Sequence, residues 1–303
     1  MKKDLLHAIG NTPLAKIFEH NPGSIYAKLE YLNPGGSIKD RSALYMVEWA
    51  EHRGLLKPGM TIIDASSGNH GIALAMIGAI KGYNVIICST EKHSKEKINT
   101  IKAYGAQVRT FAPTDSLEDP NSYHSQAVLL QKNTPNSYMP NQYCNPLNAE
   151  AHYHGIGKEI WQQTDGKITH LIAAAGTGGT VSGAGKFLKE MNPNIKVIGV
   201  DAANSYRSTK GNPKPYKLEG MGVDSESIVL DNSVIDEFIE VTDDQGIDMM
   251  KNLAHKHGFL VGPSSGAVAY AAYVYSKNLR PNDIAVILFG DSGRAYLSKG
   301  FYE

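Results

Sequence analysis

The chain predicts an α/β protein, and three observations carry that prediction. From Ile25 onward short β-branched runs alternate with longer helical patterns, the junctions between them hold Gly, Ser, Asn or Pro, and several strand-like runs are apolar along their whole length. In chain order, 24–30 is a strand, and Ser37 caps a helix through about His52. Residues 61–64 form a buried strand, and the apolar stretch 71–80 is helical. Strands at 84–88 and 107–111 bracket a helix over 95–104. Each strand is followed by a helix long enough for a right-handed crossover, so this sheet is predicted to be parallel.

From Pro113 to Asn145 the chain is rich in Pro, Asn, Ser and Tyr, with one helix near 122–132, and a domain junction is placed near 145. This divides the chain into an N-terminal α/β domain over 1–145 and a C-terminal one over 146–303. A second α/β series follows: helix 150–163, strand 169–175, helix 181–191 and strand 196–201. Residues 203–224 carry Arg207, Lys210, Pro213, Lys214 and Pro215 without a clear period, which predicts a surface or active-site loop. Strand 238–241, helices 244–257 and 265–275, and strand 283–288 complete the series. There is no internal repeat and no low-complexity tract.

The 303 residues are 42% hydrophobic and 20% charged, enough apolar content for a substantial core. Thirty Lys+Arg balance thirty Asp+Glu, which removes the basic footprint of a nucleic-acid or anionic-membrane binder and leaves a small molecule as the expected partner. Cys88 and Cys144 lie far apart without metal-ligand spacing, as in a protein of the reducing cytoplasm. The longest apolar run, 72–80, is about half of the roughly 18 residues that suggest a bilayer span, and the basic Met1-Lys2-Lys3 is not followed by a signal h-region. His152 with His154, and His255 with His257, sit at i, i+2 in predicted helices, so each pair diverges and no metal site is expected. Cys88 reads as a small core residue, and Trp49 and Trp161 as packing residues of amphipathic helices.

Four strand-to-helix or turn-to-helix junctions concentrate the polar chemistry. Gly176-Thr177-Gly178-Gly179-Thr180 points several backbone N–H groups at one spot beside a helix start, where a phosphate is the natural ligand. A dinucleotide fingerprint competes, with Asp201 at a suitable distance, but Val181 stands where it requires Gly or Ala. A Walker loop fails at Thr180 and Phe187. Asn33-Pro34-Gly35-Gly36-Ser37-Ile38-Lys39-Asp40-Arg41 puts Lys39 in a first helical turn, where the dipole lowers an amine's pKa and favours a nucleophilic lysine; a solvated Lys beside Asp40 is the alternative. Ala65-Ser66-Ser67-Gly68-Asn69-His70-Gly71 brings hydroxyl, amide and backbone donors together as for a carboxylate, and Gly262-Pro263-Ser264-Ser265-Gly266 offers a neutral hydroxyl; simple capping is the alternative for both.

These junctions, together with Gly10-Asn11-Thr12-Pro13-Leu14, occur in the order and spacing of the fold-type II pyridoxal-phosphate enzymes, and over essentially its whole length the chain resembles the cysteine synthase and cystathionine β-synthase family. The resemblance implies two three-layer α/β/α domains of the tryptophan synthase β-subunit-like type, with 38–145 mobile and the residues before about 38 packed on the large domain. It implies that Lys39 binds pyridoxal 5'-phosphate covalently and then removes the substrate α-proton. Gly176, Thr177, Gly178, Gly179 and Thr180 would hold the phosphate, Asn69 the phenolic oxygen and Ser264 the ring nitrogen. Ser66, Ser67, Gly68, His70, Gln142 and Gly220 would bind the substrate. A neutral Ser at the ring nitrogen gives a poorer electron sink, which disfavours transamination and suits β-elimination chemistry.

The implied reaction is β-replacement on serine, O-acetylserine or a related β-substituted alanine through an aminoacrylate, with homocysteine or sulfide as the thiol. Asp119-Pro120-Asn121-Ser122-Tyr123, Ala151-His152-Tyr153, Glu219-Gly220-Met221-Gly222 and Asp291-Ser292-Gly293-Arg294-Ala295-Tyr296 resemble cystathionine β-synthases more than plain cysteine synthases. No stretch matches the haem-binding extension or the regulatory domain of the animal enzymes, so neither haem nor adenosylmethionine control is expected. His70 replaces the family's usual Thr, and Val223-Asp224-Ser225 alters the thiol entrance, which keeps β-elimination of cysteine with release of hydrogen sulfide, or β-hydroxylation with Asp224 activating water, open. A nicotinamide oxidoreductase and a non-catalytic binding protein are the alternatives of other classes. The resemblance further implies a cytoplasmic homodimer with no nucleic-acid or membrane partner.

Overall fold

The computed structural model describes residues 4–18, 22–66, 68–91, 94–114 and 116–303. In chain order the elements are β1 (Leu14–Ile17), β2 (Ser24–Leu29), α1 (Lys39–His52), β3 (Thr61–Ala65), α2 (Asn69–Lys81), β4 (Asn84–Thr90), α3 (Lys95–Ala103), β5 (Gln107–Phe111), α4 (Tyr123–Lys132) and β6 (Ser137–Tyr138). They continue with α5 (Leu147–His152), α6 (Lys158–Gln163), β7 (His170–Ala174), α7 (Gly179–Met191), β8 (Lys196–Ala202), β9 (Glu237–Val241), α8 (Asp243–His257), α9 (Pro263–Tyr275) and β10 (Ile284–Phe289). Two sheets result, a four-stranded one in the order β5-β4-β3-β6 and a six-stranded one in the order β1-β2-β10-β7-β8-β9. The smaller sheet is parallel throughout, and only the β1–β2 pair of the larger is antiparallel. The α/β class expected from the sequence is therefore the observed one.

Alternation along the strands of the larger sheet builds a core on each face. Val286 and Leu288 of β10 pack with Leu171, Ala173, Ala184 and Leu188, under α7. Their neighbours Ala285, Ile287 and Phe289 pack with Ile172, Val200, Val268 and Ala272, under α9. In the smaller sheet Ile62, Val85 and Ile87 meet the apolar side of α1 and α2, and Cys88 and Ala65 meet Ala127 of α4 on the other face. Cys88 is fully buried, as expected of a core residue, and Trp49 and Trp161 pack against these clusters.

Most predicted elements lie where the sequence puts them, within one or two residues. Three differ for identifiable reasons. The helix predicted over 150–163 starts at Leu147 and is widened by a π-helical turn at Tyr153–Gly157, where Gly157 lets Ala184 and Phe187 of α7 approach closely. β1 and β6 are four and two residues long and exist through pairing with β2 and β3, a tertiary event that a short segment does not announce. Ser37 lies two residues before α1 yet does accept the Lys39 N–H at 3.1 Å through Oγ.

One buried polar cluster ties the beginning of the chain to the rest. The Arg41 guanidinium, 7% exposed, donates to Glu30 through Nε (2.6 Å) and Nη2 (2.8 Å), and to Glu159 through Nη1 (2.6 Å) and Nη2 (2.8 Å). Lys28 Nζ donates to Glu159 at 2.6 Å and to the Thr12 carbonyl at 2.5 Å, and Gly10 N–H and Asn11 N–H reach Asn33 and Glu159. The Gly10–Leu14 motif thus serves as an anchor for α1 and α6. Against the cost of its own burial, the two cations hold Glu159 down to a pKa of about 2. A carboxyl depressed in the folded state contributes stability above its unfolded pKa, and that contribution is lost as pH falls toward the folded value. Glu159→Gln is expected to cost about 2–4 kcal/mol at neutral pH in urea unfolding, with the deficit against wild type shrinking between about pH 4.5 and 2.

Candidate active site

Four helices, α1, α2, α7 and α9, begin, and one strand ends, around a single cleft. β7 leads through the 176–178 turn into α7, β3 leads through the 66–68 turn into α2, and α9 starts at Pro263 after Gly262. β10 ends at Phe289, and Gly290 and Asp291 continue into the cleft wall. The cleft lies at the carboxyl ends of the parallel strands, where α/β sheets open a crevice between diverging connections. It is lined by Lys39, Asn69, Gly176, Thr177, Gly178, Thr180, Gly220, Ser264 and Asp291, with Ile38, Ala174, Leu288 and Gly290 as its apolar or backbone wall.

Lys39 is the first residue of α1, and two backbone links fix its place. Ile38 N–H donates to the Gly290 carbonyl at 2.8 Å, and Ser37 forms a β-bridge with Asp291. Desolvation lowers the Lys39 amine pKa from its ordinary value, and the charge of Asp291 works in the opposite direction. Burial is therefore the main effect that lowers the basicity of this amine. Asp40 is not its solvated partner, since its carboxylate is buried and accepts the Gly35 N–H at 2.6 Å.

The 176–180 turn has an interior buttress. Gly178 takes a left-handed φ of +88°, and a Cβ on Gly179 would collide with the Asn148 side chain. Asn148 Nδ2 donates to Thr177 Oγ1 at 3.0 Å and to the Gln142 carbonyl at 2.9 Å, and one helical turn later His152 Nε2 lies 3.2 Å from Thr180 Oγ1. Burial holds His152 well below its ordinary pKa, and the charges of Lys39 and Arg41 push the same way, so the imidazole is neutral. Asn148 Oδ1, His152 Nδ1 and Asp291 Oδ1 are buried without a hydrogen-bond partner. A glycine-rich helix start, two threonine hydroxyls, a desolvated lysine amine and these polar atoms fit a phosphorylated, carbonyl-bearing cofactor such as pyridoxal phosphate.

The residues expected to grip a substrate divide differently. Gly220 lines the cleft, and Gln142, 3% exposed, lies beside the 176–180 turn through Asn148. Ser66 Oγ is turned into its own loop, where it accepts the Gly68 and Gly71 N–H groups at 3.1 and 2.8 Å. Gly68, with φ +145°, packs against the Lys97 side chain. His70, expected to contact the substrate, has a fully buried ring whose Nε2 donates to Asp64 Oδ2 at 3.1 Å, while its Nδ1 is buried without a hydrogen-bond partner. Asp64 also accepts the Ala65 and Asn141 N–H groups, so His70 ties the loop to the sheet beneath it. Ser67 lies outside the described residues. Asn148, Lys97, Tyr296 and Asp291 join the site without having been assigned a role from the sequence, because nothing in their local patterns signals convergence on a cleft. Among the described residues no helix is long and apolar enough to cross a membrane.

Replacing His70 with Thr leaves the buried Asp64 carboxylate one donor short. The expected loss is about 1–3 kcal/mol in chemical denaturation, and an unchanged stability would return His70 to the substrate side.

A family model described as pyridoxal-phosphate dependent enzyme matches residues 5–290. The chain is 45% identical to cystathionine beta-synthase of Apis mellifera, covering 98% of this chain and 60% of that protein, and so spans well under two thirds of the curated relative's length. It is 38% identical to cysteine synthase of Staphylococcus aureus strain Mu50, over 99% of this chain and 97% of the relative. A solved hydrogen sulfide-producing enzyme of Fusobacterium nucleatum superposes with a TM-score of 0.93 at 39% identity, covering 98% of this chain and all (100%) of that one. With its lysine, glycine-rich turn and neutral serine gathered on one cleft, the chain belongs to the family of pyridoxal-phosphate dependent enzymes.

Proposed function

We propose that the enzyme catalyses β-replacement on serine, O-acetylserine or another β-substituted alanine, with homocysteine or sulfide as the incoming thiol. The observation that carries this reading is the convergence of Lys39, Asn69, Thr177, Thr180, Gly220 and Ser264 on one cleft. Lys39 would hold the cofactor covalently, and its amine would take the α-proton of the substrate. Residues 176–180 hold the phosphate through backbone N–H groups and the Thr177 and Thr180 hydroxyls, with neutral His152 and Asn148 keeping those hydroxyls oriented. Asn69 serves the phenolic oxygen. Ser264 faces the ring nitrogen with a neutral hydroxyl, which suits loss and replacement of the β-substituent over transamination. The bound cofactor supplies the electron sink that makes the α-proton removable.

The substrate carboxylate is bound by the backbone of the 66–71 loop together with Ser67 and Gln142. Ser66 and His70 act one layer below, holding that loop in shape. Residues from about 38 to 145 form a mobile unit that closes over the substrate, and the protein works as a cytoplasmic homodimer.

Cysteine as donor, with release of sulfide, is a second reading. It is favoured by the likeness to the Fusobacterium nucleatum hydrogen sulfide-producing enzyme and by Asp224, whose carboxylate bonds the Tyr216 hydroxyl near Tyr143.

The reading is tested on purified protein loaded with pyridoxal phosphate, by recording the visible spectrum as serine, O-acetylserine, O-phosphoserine and cysteine are added separately. One donor is expected to change the spectrum, and one of homocysteine or sulfide to reverse it. Reversal by neither thiol, with sulfide appearing from cysteine, would favour the second reading. Lys39→Ala is expected to lower turnover on the order of 10³-fold or more and to abolish borohydride trapping of the cofactor on the protein. Full turnover in that variant would overturn the assignment.

A further inference from the structure

Among the described residues Asp291 is the carboxylate whose charge reaches the Lys39 amine, and nothing in the proposed reaction uses it. It is 3% exposed. Its Oδ2 accepts Asn69 Nδ2 at 2.7 Å and the Tyr296 hydroxyl at 2.5 Å, while its Oδ1 has no partner. Oδ1 is packed against Gly262, where any Cβ would collide with it, so the chain immediately before α9 leaves room for a carboxylate and nothing more. The backbone is held as firmly: Gly262 N–H donates to the Asp291 carbonyl at 3.0 Å, and Ser37 bridges Asp291 two residues before Lys39.

The Tyr296 hydroxyl that donates to Asp291 itself accepts from Lys97 Nζ at 2.9 Å, and that ammonium also sits 4.1 Å from the centre of the Tyr296 ring. Lys97 belongs to α3, on the smaller sheet, and reaches Glu219 Oε2 at 3.2 Å beside Gly220 of the cleft. Glu96, its neighbour, accepts Ser298 N–H and Oγ–H at 2.7 and 2.6 Å. A polarised chain therefore runs from Lys97 through Tyr296 and Asp291 to Asn69, joining elements of both sheets.

Two hydrogen bonds on one oxygen, and none on the other, describe an anion better than an acid, whose proton would be left on the unpartnered Oδ1. Every group facing Asp291 bears on that charge. Lys39 from α1 and Lys97 from α3 favour the anion, as do the Asn69 and Tyr296 donors. Burial is the largest effect and raises the Asp291 pKa from its ordinary value, and Glu219 adds to it; against them, the two donors gathered on Oδ2 and the two ammonium groups favour the anion. Asn69 Nδ2 has two hydrogens, and committing one to Asp291 fixes the rotation of the amide.

We propose that Asp291 is a positioning residue for the cofactor site: a buried anion, held by Tyr296 and Lys97, that orients Asn69 and keeps positive charge on the Lys39 nitrogen. The inference rests on the cleft being the pyridoxal-phosphate site. A neutral residue at 291 removes the counter-charge, so the Lys39 nitrogen gives up its proton at lower pH. A residue that merely fills space would leave that titration where it is.

The test is a pH titration of the visible absorption of the cofactor-loaded wild type, Asp291→Asn and Asp291→Ser proteins. The serine variant is smaller than the native side chain and meets no obstacle, so it serves if the asparagine variant does not fold. In both, the midpoint at which the long-wavelength band is lost is expected to fall by about one pH unit or more, and cofactor affinity in equilibrium titration about tenfold. An unchanged or raised midpoint in a folded, coloured variant overturns the role of Asp291 alone. A wild-type protein that takes up no colour overturns the cofactor site and this proposal together.

Discussion

The buried guanidinium of Arg41 is the constraint on which the rest of the arrangement depends. Fully paired with Glu30 and Glu159, it cannot move without exposing or orphaning charge in the interior. Because it lies two residues after Lys39, it fixes the first turn of α1 relative to β2, α6 and the Gly10–Leu14 segment. The lysine is thereby held in a cleft whose walls also include Asn69 and residues more than a hundred positions further along the chain. Lys28 completes the same cluster, so a strand of the larger sheet and the start of α1 share one electrostatic anchor.

Around that fixed point the site is assembled from chain that is forced to turn. Each helix start leaves N–H groups without intrahelical partners, and four such starts, those of α1, α2, α7 and α9, face one another. What distinguishes this cleft from an ordinary crevice is the second layer beneath it. Asn148 and His152 stand behind the 176–180 turn, Asp64 and His70 stand behind the 66–71 loop, and the Asp291–Tyr296–Lys97 chain stands behind Asn69. These groups are buried and polar, so their hydrogen bonds are stiff, and stiffness in the layer below is what holds reactive groups in register.

The same second layer joins the two sheets. Lys97 and Glu96 on α3 reach Glu219, Tyr296 and Ser298, and Lys97 also packs against Gly68 of the 66–71 loop. A displacement of α3 would therefore be felt at Asn69 and at Gly220 together.

The local patterns were sufficient for the class, for most of the elements and for the junctions at 35–41, 176–180 and 262–266, because apolar period and glycine-rich helix starts are properties of contiguous residues. The same holds for Cys88 as core. Tertiary structure alone decided the rest. β1 and β6 exist by pairing; the 147–163 helix starts early and widens where Gly157 admits close neighbours; and His70 pairs with Asp64 beneath its loop. Asp291, Lys97 and Arg41 carry no local signal of their roles. A buried charge is defined by partners, and here the partners lie between 5 and 222 residues apart in sequence, most of them brought together only when both sheets have formed.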